Sequence, residues 1–136
     1  MRSSWNEHAM LLAVAASKRS EDPYRQVGAC VLGHNNEVLS VAYNGLASGV
    51  EATDQFWSDR DGRRLYMVHA ESNALAQIHR GEGRLLACTL LPCRSCATNI
   101  SAYGIKKVIY KEAYDRDSEA LKIFKFYGID CEQITC

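Results

Sequence analysis

Residues 67–100 read MVHAESNALAQIHRGEGRLLACTLLPCRSCATNI. HAESNALAQIHR (69–80) has helical character and stops at Gly81. RLLACTLLP (84–92) is an apolar run of strand length bounded by Pro92, and CRSCATNISAYG (93–104) is a short helix stopped by Gly104. The stretch therefore predicts helix, strand, helix. It also carries groups that a plain core does not choose: His69, Glu71, Cys93 and Cys96 all sit at the predicted helix starts.

Toward the C-terminus the alternation continues. KKVIYK (106–111) predicts a strand. DSEALKIFKFYG (117–128) predicts a helix capped by Asp117 or Ser118 and stopped at Gly128, and IDCEQITC (129–136) predicts a last short strand. Strands alternating with helices favour parallel pairing through crossover helices. Toward the N-terminus, residues 4–19 predict an amphipathic helix that ends before Pro23. QVGACVLG (26–33) and EVLSVAYNG (37–45) are β-branched runs around the turn residues HNN, and predict an antiparallel hairpin. From Gly45 to about Leu65 periodicity is lost. A loop this long inside a compact domain predicts a wall or lid over a site. There is no internal repeat, low-complexity stretch or linker, so residues 1–136 read as one α/β domain.

Composition narrows the function. Lys plus Arg is 16 and Asp plus Glu is 16, so the basic excess expected of a large nucleic-acid binder is missing, although a single nucleotide remains compatible. No run of eighteen apolar residues exists to span a membrane. The N-terminal apolar run is short and is approached through Glu7 and His8, which suits a helix better than a signal peptide. The expectation is an intracellular, cytoplasmic protein whose six cysteines are reduced thiols.

His69 and Glu71 are two residues apart and do not share a helix flank, but both can lean past a helix N-terminus. Cys93 and Cys96 are three apart and share a face, and Pro92 suits the start of their helix. Two helix starts aimed at one spot would supply one imidazole and two thiolates, a donor set that suits tetrahedral Zn²⁺. Three protein ligands leave the fourth position for water, and Glu71 is the acidic neighbour for that water. Two other readings stand beside this one. The Cys-x-x-Cys could be a redox pair, although that leaves His69 and Glu71 unexplained. The zinc could be structural, with Cys88, Cys131 or His34 as a fourth ligand.

HAE followed by PCRSC resembles the H-x-E…P-C-x-x-C pattern of the zinc-dependent nucleobase and nucleotide deaminases. With RSEDPYRQVGACVL, AYNG, HAESNAL, LLPCRSCATNISAYGIKKVIY and YDRDSEA, most of the chain from about residue 19 to 120 is similar to the deoxycytidylate (dCMP) deaminase branch. The resemblance implies a three-layer cytidine-deaminase-like α/β fold, a five-stranded mixed sheet with helices on both faces. It implies hydrolysis of dCMP to dUMP and ammonia. It also implies His69, Cys93 and Cys96 as ligands of one zinc ion per chain bearing a water or hydroxide, with Glu71 as proton shuttle. Asn44, Ala70 and Tyr114 match substrate contacts. Family members are often hexamers regulated by dCTP and dTTP. The effector segment resembles YNGLASG, which includes Gly45 and Gly49, although Ala47 and Ser48 depart from the family pattern. Arg80 is a candidate for effector response or subunit contact. No Cys and His cluster matches the second zinc of some members.

A monophosphate needs donors, and Arg25, Arg60, Arg63 and Arg64 are candidates, with Arg25 the best placed between SEDP and the first strand. Phe56 and Trp57 read as anchors of the long loop. A tRNA adenosine deaminase, a free-nucleoside or base deaminase and a non-catalytic zinc-stabilised module are the alternative functions.

Overall fold

The computed structural model describes residues 1–113 and 119–136. It begins with α1 (Trp5–Ser17), whose start follows from its sequence. The Ser4 hydroxyl accepts from the Glu7 amide at 3.1 Å, and the Glu7 carboxylate accepts from the Ser4 amide at 3.0 Å. This reciprocal pair satisfies two amides that the first turn leaves without partners. Ala9, Met10 and Ala13 pack from α1 onto Cys30, Leu32, Leu85, Ala87 and Ile109, which form one face of a sheet. Gly28 permits the close approach: a Cβ there would lie 1.8 Å from the Ala13 carbonyl oxygen.

The sheet has five strands: β1 (Gly28–Gly33), β2 (Val38–Tyr43), β3 (Gly83–Leu90), β4 (Lys107–Glu112) and β5 (Asp130–Gln133), ordered β2-β1-β3-β4-β5. β1 and β2 form the expected antiparallel hairpin, turning through Asn36 at φ 63°. β1 also pairs antiparallel with β3, whereas β3–β4 and β4–β5 are parallel. The parallel pairs are joined by α4 (Arg94–Ala102) and by a connection containing α5 (Glu119–Phe126).

With α3 (Ala70–Leu75), these helices cover the second face. Ala74 and Leu75 of α3, Ala97 and Ile100 of α4, and Ala120 and Phe124 of α5 pack there against Ala29, Val31, Leu86, Cys88 and Val108. Phe124 is fully buried, and burial of such a side chain stabilises by about 1.5–3 kcal/mol. The result is the three-layer, five-stranded mixed sheet that the resemblance implies.

The structure corrects three local expectations. The 45–65 segment contains α2 (Asp54–Ser58), capped by the Thr53 hydroxyl on the Phe56 amide, and a 3₁₀ turn, Gly62–Leu65. Two such short pieces lack the periodicity that reveals a helix. The helix predicted over 69–80 ends at Leu75, because the following backbone tightens: Gln77 and Ile78 donate to Ala74 and Leu75, each at 3.2 Å, which seats Ile78 in the core. Arg80 consequently lies on an exposed turn, not at a helix end. Pro92 precedes the N-cap Cys93 instead of occupying the first helical position.

Candidate active site

His69 is the N-cap of α3 and Cys93 the N-cap of α4, both in extended backbone and neither spending its side chain on a cap bond. Both side chains are therefore available beyond the helix ends. Cys96, one turn into α4, is buried behind them. His69 Nδ1 lies 3.2 Å from Cys96 Sγ and 3.6 Å from Cys93 Sγ, and the three donor atoms fall within 4.8 Å of one another. Tetrahedral zinc, with sulfur at about 2.3 Å and nitrogen at about 2.0–2.1 Å, places nitrogen and sulfur about 3.6 Å apart. The donor set and its spacing fit that ion. Among the described residues no other group of three or more potential ligands converges in this way. Cys88, Cys131 and His34 are all outside the group, and His34 is occupied with the Gly81 carbonyl at 2.8 Å.

The thiols are prepared for a cation. Hydrogen bonds from Cys96 and then His69 hold the Cys93 thiol at about 3, outweighing the opposing effect of burial. Cys96 moves upward because it is the donor to Cys93 and because it is buried. His69 is raised by its bond to Cys93 and by the charges of Glu71 and Cys93, against burial. A divalent ion would bind the two sulfurs as thiolates, so its binding would release protons. The N-terminus of nine-residue α4 adds positive potential beside the thiolates.

Glu71, in the first turn of α3, is buried. Burial pushes its carboxyl up, partly offset by its own backbone amide and by His69. The neighbouring Cys88 thiol on β3 offsets that rise a little further. Glu71 is not one of the three converging donors, yet it faces the same cavity as His69 and Cys93. The cavity measures about 350 Å³, within the size range of small-ligand sites, and opens beyond the C-terminal end of β3.

The structure brings Arg25, Asn44 and Ala70 to this cavity. Asn44 is mostly committed to structure: its Oδ1 accepts from the Val27 amide at 2.8 Å and its Nδ2 donates to the Arg25 carbonyl at 2.9 Å. One amide hydrogen remains for a ligand. The 45–65 segment forms part of the wall, as expected, and contributes Arg60, Arg63 and Arg64. Arg63 departs from expectation. It is buried against Asp22 at 3.1 Å, so its charge is already matched and it is not an open phosphate donor. Gly45 and Gly49 line a separate cleft of about 630 Å³. Gly45 is bridged to Val68 there, and Gly49 has φ +85°. Arg80 lines neither space. Tyr114 lies outside the described residues.

Sequence alone marks Cys88 as a small apolar strand residue or a fourth zinc ligand, without its place beside Glu71, and does not reveal the Asp22–Tyr24–Arg63 cluster. The useful clue to Cys88 is its place on the strand that leads directly into PCRSC. Asp22 and Arg63 are 41 positions apart, and no local pattern links them.

Fold and motif geometry together set this chain among the zinc-dependent deaminases. Residues 3–112 match the family described as "Cytidine and deoxycytidylate deaminase zinc-binding region", and the chain belongs to it. Its relatives include deoxycytidylate deaminases. That of Saccharomyces cerevisiae is 34% identical over 99% of this chain and 46% of its own length, and that of Mus musculus 32% identical over 96% and 80%. The chain thus spans about half of the yeast relative. The crystal structure of dCMP deaminase from cyanophage S-TIM5 in complex with dCMP and dUMP is 27% identical and superposes with a TM-score of 0.79 over 98% of this chain and 99% of that one.

Proposed function

We propose that residues 1–136 form one zinc-dependent deaminase domain that hydrolyses dCMP to dUMP and ammonia, in cytoplasmic pyrimidine deoxynucleotide metabolism. The observation that carries this reading is the convergence of His69, Cys93 and Cys96 beside a cavity that Glu71 shares without joining their cluster.

His69 Nδ1 and the sulfurs of Cys93 and Cys96 would hold the ion. Bound zinc supplies a Lewis acid that lowers the pKa of water toward about 7. The chain's own residues carry the proton traffic. As water oxygen bonds to cytosine C4, Glu71 accepts its proton and delivers it to N3, which relieves negative charge on the ring. Glu71 then moves the remaining hydroxyl proton to the exocyclic nitrogen. The C4–N bond breaks and ammonia leaves. Burial, which raises the affinity of Glu71 for a proton, suits a group that must both accept and return one. Ala70 would face the base and Asn44 the sugar, with Tyr114 as a further contact. Arg25, with Arg60 and Arg64, would meet the 5′-phosphate.

The proposal includes one zinc per chain, homo-oligomerisation as a hexamer, and dCTP and dTTP as effectors. The cleft at Gly45 and Gly49 presents Glu21 and Glu51 and, among its described lining residues, no Lys or Arg. A triphosphate held there needs cations from a second copy, which ties any effector response to assembly.

The test is a panel of dCMP, dCTP, CMP and deoxycytidine with zinc-loaded protein, followed by absorbance loss. The expected result is the highest kcat/KM for dCMP. Dominant turnover of dCTP, or no turnover of any of the four, contradicts the proposal.

A further inference from the structure

We propose that the buried Asp22–Arg63 ion pair is a latch that seats residues 53–66 against the nucleotide cavity and thereby sets the preference for a phosphorylated substrate over the bare nucleoside. This inference rests on the deaminase reading above.

The strap consists of two short turns, α2 with five residues and the 3₁₀ turn with four. Both are far below the length at which a helix persists alone, so contacts with the rest of the fold must hold them. Those contacts converge on residues 22–24. Arg63 Nε donates to Asp22 Oδ1 and Arg63 Nη2 pairs with Asp22 Oδ2, each at 3.1 Å. This two-pronged geometry fixes orientation as well as distance. Arg63 also donates to the Arg60 carbonyl at 2.7 Å, fastening the strap internally. The Arg63 guanidinium lies 4.6 Å from the Tyr24 ring centre and that of Arg60 5.5 Å from it, and the Tyr24 hydroxyl donates to the Trp57 carbonyl at 2.8 Å.

The same Asp22 carboxylate shapes the opposite wall. It accepts from the Tyr24 amide at 2.8 Å and from the Arg25 amide at 3.3 Å. One anion therefore organises both the turn that carries Arg25 and the strap that carries Arg60 and Arg64. All three arginines line the cavity. Burying an ion pair is a weak source of stability, because desolvation offsets the attraction, and its retention here accords with positioning. Arg63 is thus a positioning residue. Its guanidinium is engaged with Asp22 and the Arg60 carbonyl, and through them it sets where the phosphate-facing cations stand.

The experiment uses zinc-loaded full chain carrying Arg63→Met, Arg63→Lys, Asp22→Asn or the Asp22→Asn/Arg63→Met pair. Asp22→Asn retains an oxygen for the Tyr24 and Arg25 amides while removing the charge and replacing the oxygen that pairs with Arg63 Nη2 by an amide donor, which separates the latch from the turn. Two readouts are taken: kcat and KM for dCMP and for deoxycytidine, and amide hydrogen exchange across 53–66. The latch predicts faster strap exchange in Arg63→Met and Asp22→Asn. It predicts a dCMP KM raised about tenfold or more with deoxycytidine kcat/KM nearly unchanged, partial rescue by Lys, and a double variant no worse than Arg63→Met. Unchanged strap exchange overturns the latch, as does a parallel fall for both substrates. If wild-type protein leaves dCMP intact, the deaminase reading fails, and the exchange measurement still decides whether the pair holds the strap.

Discussion

Position 71 holds a carboxylate where burial works against its charge. Glu71→Gln keeps the shape and removes the proton chemistry. We expect it to bind zinc as the wild type does and to lose about 10²–10⁴-fold in turnover. Metal analysis and a dCMP assay check both, and a variant that keeps a tenth of wild-type turnover contradicts the shuttle role. Because the folded-state pKa is raised, the protonated form is favoured by folding, and stability falls as pH climbs from the unfolded value of 4.5 through the folded one. Metal-free Glu71→Gln should therefore melt above metal-free wild type at neutral pH, with the gap closing toward pH 5. An equal gap at both ends of that range contradicts the burial argument. Cys93→Ala should lose zinc, whereas unchanged zinc content removes Cys93 from the ligand set. At this scale His69, Glu71, Cys93 and Cys96 were legible because two helix starts can be aimed at one spot and Cys93 and Cys96, three apart, share a face. Asp22–Arg63 was not legible, because tertiary folding alone brings them together.

Among the elements, α1 shows how directly sequence can specify a start. Ser4→Ala removes the acceptor for the Glu7 amide and should cost about 1 kcal/mol, read as a lower melting temperature. The Ser4 amide and then the Ser4 hydroxyl lower the Glu7 pKa. Its contribution is accordingly present above the unfolded value of 4.5 and lost as pH falls through the lower folded value. Thermal scans of Glu7→Gln should show a deficit at pH 7 that disappears in acid, and a constant deficit contradicts the cap. The hairpin and the strand–helix alternation were likewise readable from period and turn residues. The end of α3 was not, since HAESNALAQIHR keeps helical character past Leu75 while Ile78 is drawn into the core by a tighter turn. The 45–65 segment hid two short turns for a related reason: neither is long enough to repeat.

Across the whole molecule, the sheet separates two jobs. One face packs α1, while the other packs α3 and α4, whose starts meet at the donor cluster. Gly28→Val should disturb the first layer by driving a side chain into the Ala13 carbonyl, costing about 1–3 kcal/mol or more in denaturant unfolding, and an unchanged midpoint contradicts that packing. Leu65, Tyr66, Phe126 and Tyr127 are exposed, which accords with the proposed homo-oligomer. The proposed function rests on one arrangement, a metal that His69, Cys93 and Cys96 would hold with one position open toward Glu71. Anomalous diffraction at the zinc edge from crystals of zinc-loaded protein tests it directly. The expected result is an anomalous peak bonded to His69 Nδ1, Cys93 Sγ and Cys96 Sγ, with the Glu71 carboxylate facing the fourth position from outside bonding distance. A fourth protein side chain on the metal, or zinc bound away from these three atoms, would contradict it.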